Sequence, residues 1–208
     1  MKKAVIIILL ILILDQALKF FVKTTMGLNE RHAIFGNWFF IEFIENDGMA
    51  YGMKFGGGFG KVFLSLFRIV AVIVIGWWLH KVIARNGRTG LVICISLIMA
   101  GAIGNILDSM FYGLIFNDPT GECANQVATL FPKGGGYAGF LHGKVVDMLY
   151  FPIIDTHYPE WFPFVGGKRF EFFQPIFNIA DSSISVGVFI LIVFQKRLFK
   201  PLEITNPI

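Results

Sequence analysis

"FNIADSSISVGVFILIVF" (Phe177–Phe194) decides how this chain is read, because it sets an aspartate where an apolar helix begins. Ile184–Phe194 is an uncharged run of 11 residues, roughly 16 Å of helix at 1.5 Å per residue. A bilayer core of about 30 Å needs ~20 residues. To cross, the helix must reach back through Asp181 toward Asn178. The carboxylate then falls in the first turn, at the membrane surface. Asn178 and Asp181 also have the spacing of a capping box, with asparagine as N-cap and an acid three residues on.

The rest of the chain fits a membrane setting. Of 208 residues, 55% are hydrophobic and 15% charged, against about 25% charged in soluble domains. Three further apolar runs predict spans over 4–21, 62–79 and 91–107, with the fourth over 178–195. The start "MKKAVIIILLILIL" resembles a signal peptide, but no small-x-small cleavage site follows, so it reads as a retained first span. Lys2 and Lys3, then Lys81, Arg85 and Arg88, then Lys196, Arg197 and Lys200 all fall at one end of the bundle. The positive-inside rule makes that end cytoplasmic. Of the 14 acidic residues, only Glu203 lies there. The expected architecture is a mainly α, four-transmembrane-helix bundle, a single integral membrane domain over 1–208. Both termini are inside, and outer loops cover about 23–61 and 108–177.

Within the first outer loop, "NWFFIEFIENDGMAYGM" predicts short strands with a turn at "NDG", a small β-rich cradle. In the second, "NDPTGECANQVATLFPKGGGYAGF" is rich in glycine and turn residues and reads as mobile. "GKVVDMLYF" reads as a strand or a re-entrant piece. "HYPEWFPF" reads as an interfacial aromatic anchor. Cys94 lies in an apolar run and Cys123 in a polar loop, so the two are not expected to pair. Neither cysteine nor histidine spacing suggests a metal site, and no cofactor or nucleic-acid partner is expected.

Polar residues gather at the outer ends of the spans. Asp15 and Lys19 are four apart and share one helix face. Asn105 and Asp108 end the third span, where a carboxylate meets the negative end of the helix dipole. Gly101, Ala102 and Gly104 suit close helix contact. Asp147 follows in the loop between spans, flanked by apolar residues. Brought together, these acids cannot all ionise, so one keeps its proton. A protonated acid beside an ionised one is the working unit of an aspartic protease. Residue chemistry alone leaves open which two of Asp108, Asp147 and Asp181 act. It also leaves open a proton-coupled transporter, since membrane acids serve proton relays, and a non-catalytic scaffold.

The segments "DQALK" (15–19), "NDGMAYG" (46–52), "GAIGNILD" (101–108), "GKVVD" (143–147) and "FNIAD" (177–181) resemble, in order, the motifs of lipoprotein signal peptidase, or signal peptidase II. That resemblance implies a bacterial inner-membrane aspartyl peptidase. Such an enzyme cuts the signal peptide from a prolipoprotein just before its diacylglyceryl-modified cysteine. It implies catalysis by Asp147 and Asp181, supported by Asp15, Lys19, Asn46, Gly48, Gly104, Asn105, Asp108 and Asn178. It implies partners limited to lipidated prolipoproteins and membrane lipids, and a monomer. Backbone groups near Gly48 are expected to pair with an extended substrate. The family pattern places arginine after its third motif, where this chain has Ser109; Lys144 and Arg169 are the candidates to replace it. The 109–142 loop looks long for the family and suggests a lid or an insert.

Overall fold

The computed structural model describes residues 1–48, 57–117, 127–172 and 175–200. The end of the "NDGMAYG" motif from Met49, Cys123 and Glu203 lie outside the described residues.

Among the described residues, three helices are long and apolar enough to cross a membrane: α1 (Lys2–Thr25), α2 (Gly57–Ala84) and α3 (Thr89–Leu107). A shorter apolar helix, later in the chain, runs over Ile179–Val193. The helices extend beyond the apolar runs because their polar ends find partners. The largest extension is at α3. One π-helical turn, Asp108–Tyr112, and a short α4 (Gly113–Ile115) carry it on with little break. Asp108 is therefore not at a helix end, as the sequence suggested, and escapes most of the unfavourable dipole. π-turns inside helices recur at functional sites.

Six strands follow in chain order: β1 (Arg31–Phe35), β2 (Phe39–Asn46), β3 (Val145–Tyr150), β4 (Ile154–His157), β5 (Arg169–Phe172) and β6 (Ile176–Phe177). The fourth apolar helix is α5 (Ile179–Val193), and a last turn, α6 (Gln195–Leu198), ends the described chain. α5 starts two residues after β6, so the strand delivers Asn178 and Asp181 to the sheet edge.

α3 is the central helix, in contact with α1, α2 and α5. Small residues bring α3 and α5 together, as in membrane bundles generally. A Cβ on Gly101 would collide with the Ala180 carbonyl, and one on Gly187 would lie 2.9 Å from the Cys94 carbonyl. Ser183 Oγ donates to the Leu97 carbonyl at 3.0 Å, tying the same pair. The outward faces are apolar: Leu9, Leu10 and Ile13 of α1, Phe67, Ile73 and Val74 of α2, and Phe189 and Ile192 of α5 are exposed. Asp15, Lys19, Asn105 and Asp108 are buried. Water-facing proteins invert that arrangement, whereas a lipid-facing bundle requires it.

The main sheet is antiparallel throughout, in the order β1-β2-β3-β6. Its hairpin turns at Gly36 (φ +50°), between β1 and β2. The expected strands with a turn at "NDG" are present as far as Gly48, after which the chain passes outside the described residues. The second neighbour of β2 is β3 from the far loop, with Ile44 opposite Asp147. β3 is thus a strand and not a re-entrant piece. Val22 of α1 and Met26 just after it, Tyr112 and Phe116 beyond α3, and Phe43, Val146 and Met148 of the sheet form one apolar core. That core fixes the sheet to the ends of α1 and α3 away from the basic link between α2 and α3.

The described part of the 109–142 loop is docked, contrary to the mobile segment expected. Phe131 N–H donates to Ile115 O at 2.7 Å, Tyr137 N–H to Phe116 O at 2.9 Å, and Ala138 N–H to Gly113 O at 2.9 Å. Gly136 makes this approach possible, because a Cβ there would run into the Gly113 and Leu114 carbonyls. Glycine serves here for proximity between two backbones. The aromatic stretch caps the separate β4–β5 pair, where Trp161 and Phe164 are exposed.

Candidate active site

The polar ends of α1 and α3 meet first. Lys19 Nζ lies 2.9 Å from Asp15 Oδ2 and 2.7 Å from Asp108 Oδ2, and it donates to Asn105 Oδ1 at 3.0 Å. Asp15 Oδ1 accepts from the Ala180 backbone at 2.9 Å, linking α1 to the first turn of α5. Gln16 Nε2 donates to Asp108 Oδ1 at 2.8 Å, and Val146 N–H donates to Asp108 Oδ2 at 3.3 Å. Both Lys19 and Asp108 are fully buried. A buried charge triad holds only when every member is paired and hydrogen-bonded, and here each is. Gly104 admits this knot: a Cβ there would sit 2.8 Å from Asp15 Oδ2.

Two asparagines carry the network onward. Asn178 is the N-cap of α5, its Oδ1 accepting from Asp181 N–H at 2.8 Å. That contact turns its Nδ2 the other way, and Nδ2 donates to Asp147 Oδ1 at 2.7 Å. Asn105 Oδ1 faces the Lys19 ammonium, which has only donors, so its Nδ2 must face the opposite side. There it donates to Asp181 Oδ1 at 2.7 Å. The two amides are themselves joined, Asn178 Nδ2 to Asn105 Oδ1 at 3.1 Å. Only half of the expected capping box forms. The asparagine caps, but the Asp181 carboxylate turns to Asn105 instead of reaching back along its own helix.

The sheet closes the site. Asp147, in mid-β3, is buried, and Asn46 Nδ2 donates to its Oδ2. Asn46 Oδ1 in turn accepts from Gly48 N–H at 2.5 Å, across a turn whose Gly48 has φ +89°. That left-handed conformation favours glycine. Gly48 O accepts from Arg68 Nη2 of α2. The N–H and C=O of Gly48 itself are thus both engaged within the protein, and the backbone after it, where substrate pairing was also expected, lies outside the described residues.

All ten residues singled out in the sequence thus fall in one contiguous network. Their partners separate the three candidate acids. Asp108 is neutralised by an ammonium at 2.7 Å, whereas the side chains given to Asp147 and Asp181 as donors are neutral amides. Burial, and then the charge of Asp181, push the Asp147 carboxyl up to about 8. Two residues were missed. Gln16 lies inside the quoted "DQALK" motif. Arg68 is the one charge in the run 62–79, a signal that ought to have flagged it. Neither suggested substitute for the family arginine reaches the acids by its described contacts. Lys144 turns toward Glu45 at 3.6 Å, and Arg169 lies on β5 opposite His157.

The family model described as Signal peptidase (SPase) II matches residues 7–196. The chain belongs to the signal peptidase II family. It is 49% identical over 197 residues to a lipoprotein signal peptidase of Porphyromonas gingivalis strain W83, covering 94% of this chain and 84% of the relative. The lipoprotein signal peptidase of Amoebophilus asiaticus strain 5a2 is 37% identical over 196 residues, covering 92% and 76%. Two solved structures, described as bacterial membrane enzyme structures by the in meso method at 2.3 and 1.9 Å resolution, share the fold at TM-score 0.60 and 23% identity. The first covers 100% of this chain and 96% of its own, the second 97% and 96%. Family membership favours the peptidase over the proton-coupled transporter.

Proposed function

We propose that this protein is a membrane aspartyl endopeptidase that removes the signal peptide from diacylglyceryl-modified prolipoproteins, cutting before the lipidated cysteine. The observation that carries this reading is the single amide of Asn178, which caps Asp181 and donates to Asp147 at 2.7 Å. With the Asn105 amide, which accepts from Asn178 Nδ2 and donates to Asp181 Oδ1, it sets the two acids in one hydrogen-bond network. Asp147 keeps the proton, because its buried carboxyl is pushed up to about 8. Asp181 takes a proton from a water as that water attacks the scissile carbonyl, and Asp147 donates to the developing oxyanion. The tetrahedral intermediate then collapses: the C–N bond breaks as Asp181 passes the proton it took to the leaving amine, and Asp147 regains its proton from the hydroxyl as the carbonyl re-forms. The buried triad of Lys19, Asp15 and Asp108 ties together the elements that carry this pair, through Ala180 N–H of α5 and Val146 N–H of β3.

The basic end of the bundle faces the cytoplasm, with both termini inside. The dyad then stands at the outer boundary, the depth at which a diacylated cysteine lies. The apolar flanks of α1, α2 and α5 give the lipid chains a lateral approach. Cleavage of a purified prolipoprotein with and without its diacylglyceryl group, each with and without chelator, tests the reading. The lipidated form is expected to be cut regardless of chelator, and the unmodified form at least about tenfold more slowly. Equal cleavage of both forms, or loss of activity with chelator, would contradict it.

A further inference from the structure

Arg68 stands in the middle of an apolar helix, where inserting an arginine costs about 2.5–3.5 kcal/mol. Such residues face the interior and serve a site. Its guanidinium lies over Gly48: a Cβ on that glycine would come within 2.6 Å of Nη1. Nη2 donates to the Gly48 carbonyl. Gly48 N–H in turn donates to Asn46 Oδ1, and Asn46 Nδ2 donates to Asp147 Oδ2, so the guanidinium is joined through one turn to the Asp147 carboxyl, within the field of Asp181, Asp108 and Asp147.

The other charges around the pair are already matched. Lys19 of α1 is shared between Asp15 and Asp108 at 2.9 and 2.7 Å. Lys61 of α2 is held by Asp47 at 2.9 Å. Position 109 supplies no cation. Ser109 is buried, its Oγ donates to the Asn105 carbonyl at 3.1 Å, and Gly143 closes over it with an N–H bond to Ser109 O at 2.9 Å. Among the described residues, Arg68 is a further cation on the side of Asp147 and Asp181 away from Lys19, tied to the turn that holds Asp147 through Gly48.

We infer that Arg68 is a positioning residue of the reaction: its charge keeps the Asp147–Asp181 pair singly protonated at neutral pH, and its guanidinium braces the Asn46–Gly48 turn that holds Asp147. This rests on the dyad reading given above. A nearby cation favours the ionised form of a carboxylate. Removing it raises both apparent pKa values of the pair, so the singly protonated window moves to higher pH.

The test is the pH profile of kcat/KM for purified wild type, Arg68→Gln, Arg68→Met and Arg68→Lys on a lipidated prolipoprotein, with Asp147→Asn and Asp181→Asn as controls and thermal unfolding as the check of fold. Both neutral variants are expected to shift the whole bell upward by about 1 unit, so that the rate falls roughly tenfold on the acid limb and holds to higher pH on the alkaline one. Arg68→Lys keeps the charge, so its bell stays in place while the lost brace lowers the rate. Removal of a mid-span charge eases insertion, so the neutral variants are expected to fold. A bell unmoved in both would overturn the inference even if the rate fell, since Arg68 would then be only a brace. Failure of both to fold would overturn it too. Inactive Asp147→Asn and Asp181→Asn confine either failure to Arg68, whereas an active control would sink the dyad reading itself.

Discussion

Asp147→Asn and Asp181→Asn are each expected to abolish prolipoprotein cleavage, by about 10⁴-fold or more, while the protein still inserts and folds. The substitution is nearly isosteric, but a carboxamide neither takes a proton from water nor gives one to an oxyanion at working pH. The fold should survive because Asp147→Asn exchanges one neutral group for another, its carboxyl being raised to about 8, and Asp181→Asn takes away a carboxylate instead of adding a buried charge. Asp147 accepts from the amides of Asn46 and Asn178, and Asp181 from that of Asn105. One unfavourable amide–amide contact per variant amounts to about 1–3 kcal/mol, less than a typical domain's stability. Turnover of a lipidated substrate, measured beside thermal unfolding in detergent, separates chemistry from folding. Near-wild-type turnover in either variant would refute the assignment.

The second large effect is structural. Lys19→Met is expected to destabilise the protein by about 3–5 kcal/mol, because it leaves a buried carboxylate pair without its cation. Asp15 and Asp108 would then face each other across the vacated position, and Asn105 would lose the donor that fixes its orientation. Activity falls with the fold, since Asn105 no longer aims its amide at Asp181. The double change Lys19→Met with Asp108→Asn should recover part of the lost stability, because neighbours in one network are not additive. Thermal unfolding of the single and double variants measures this. An unchanged midpoint for Lys19→Met would contradict the burial of the triad.

Much of this site was readable in the residues themselves. Asp15 and Lys19 share a face at four-residue spacing, and they do pair. Asn178 has the position and side chain of an N-cap, and it is one. The short fourth run forced Asp181 into the first helical turn, where the structure has it. The choice among three acids was not readable from residue type. It depends on which of them Lys19 neutralises, and that follows from how α1 meets α3. Arg68 was overlooked because a single charge scarcely alters the hydropathy of a long run. The glycines at 134–136 pointed to mobility by composition, yet Gly136 permits close docking. Composition does not distinguish glycine that frees a backbone from glycine that lets two backbones touch. The partner of β2 was likewise invisible, since β3 lies about a hundred residues further along.

The account stands most directly on the proton held by Asp147. The pH dependence of kcat/KM for the wild-type enzyme, with chelator present, tests it. Asp147 must be protonated to donate, so the rate should fall as pH rises through its raised value of about 8. Asp181 must be ionised to accept, so the rate should also fall in acid, giving a bell. A rate that climbs steadily through pH 8 and stays high above it would contradict the account, because the reaction would then need no protonated carboxyl.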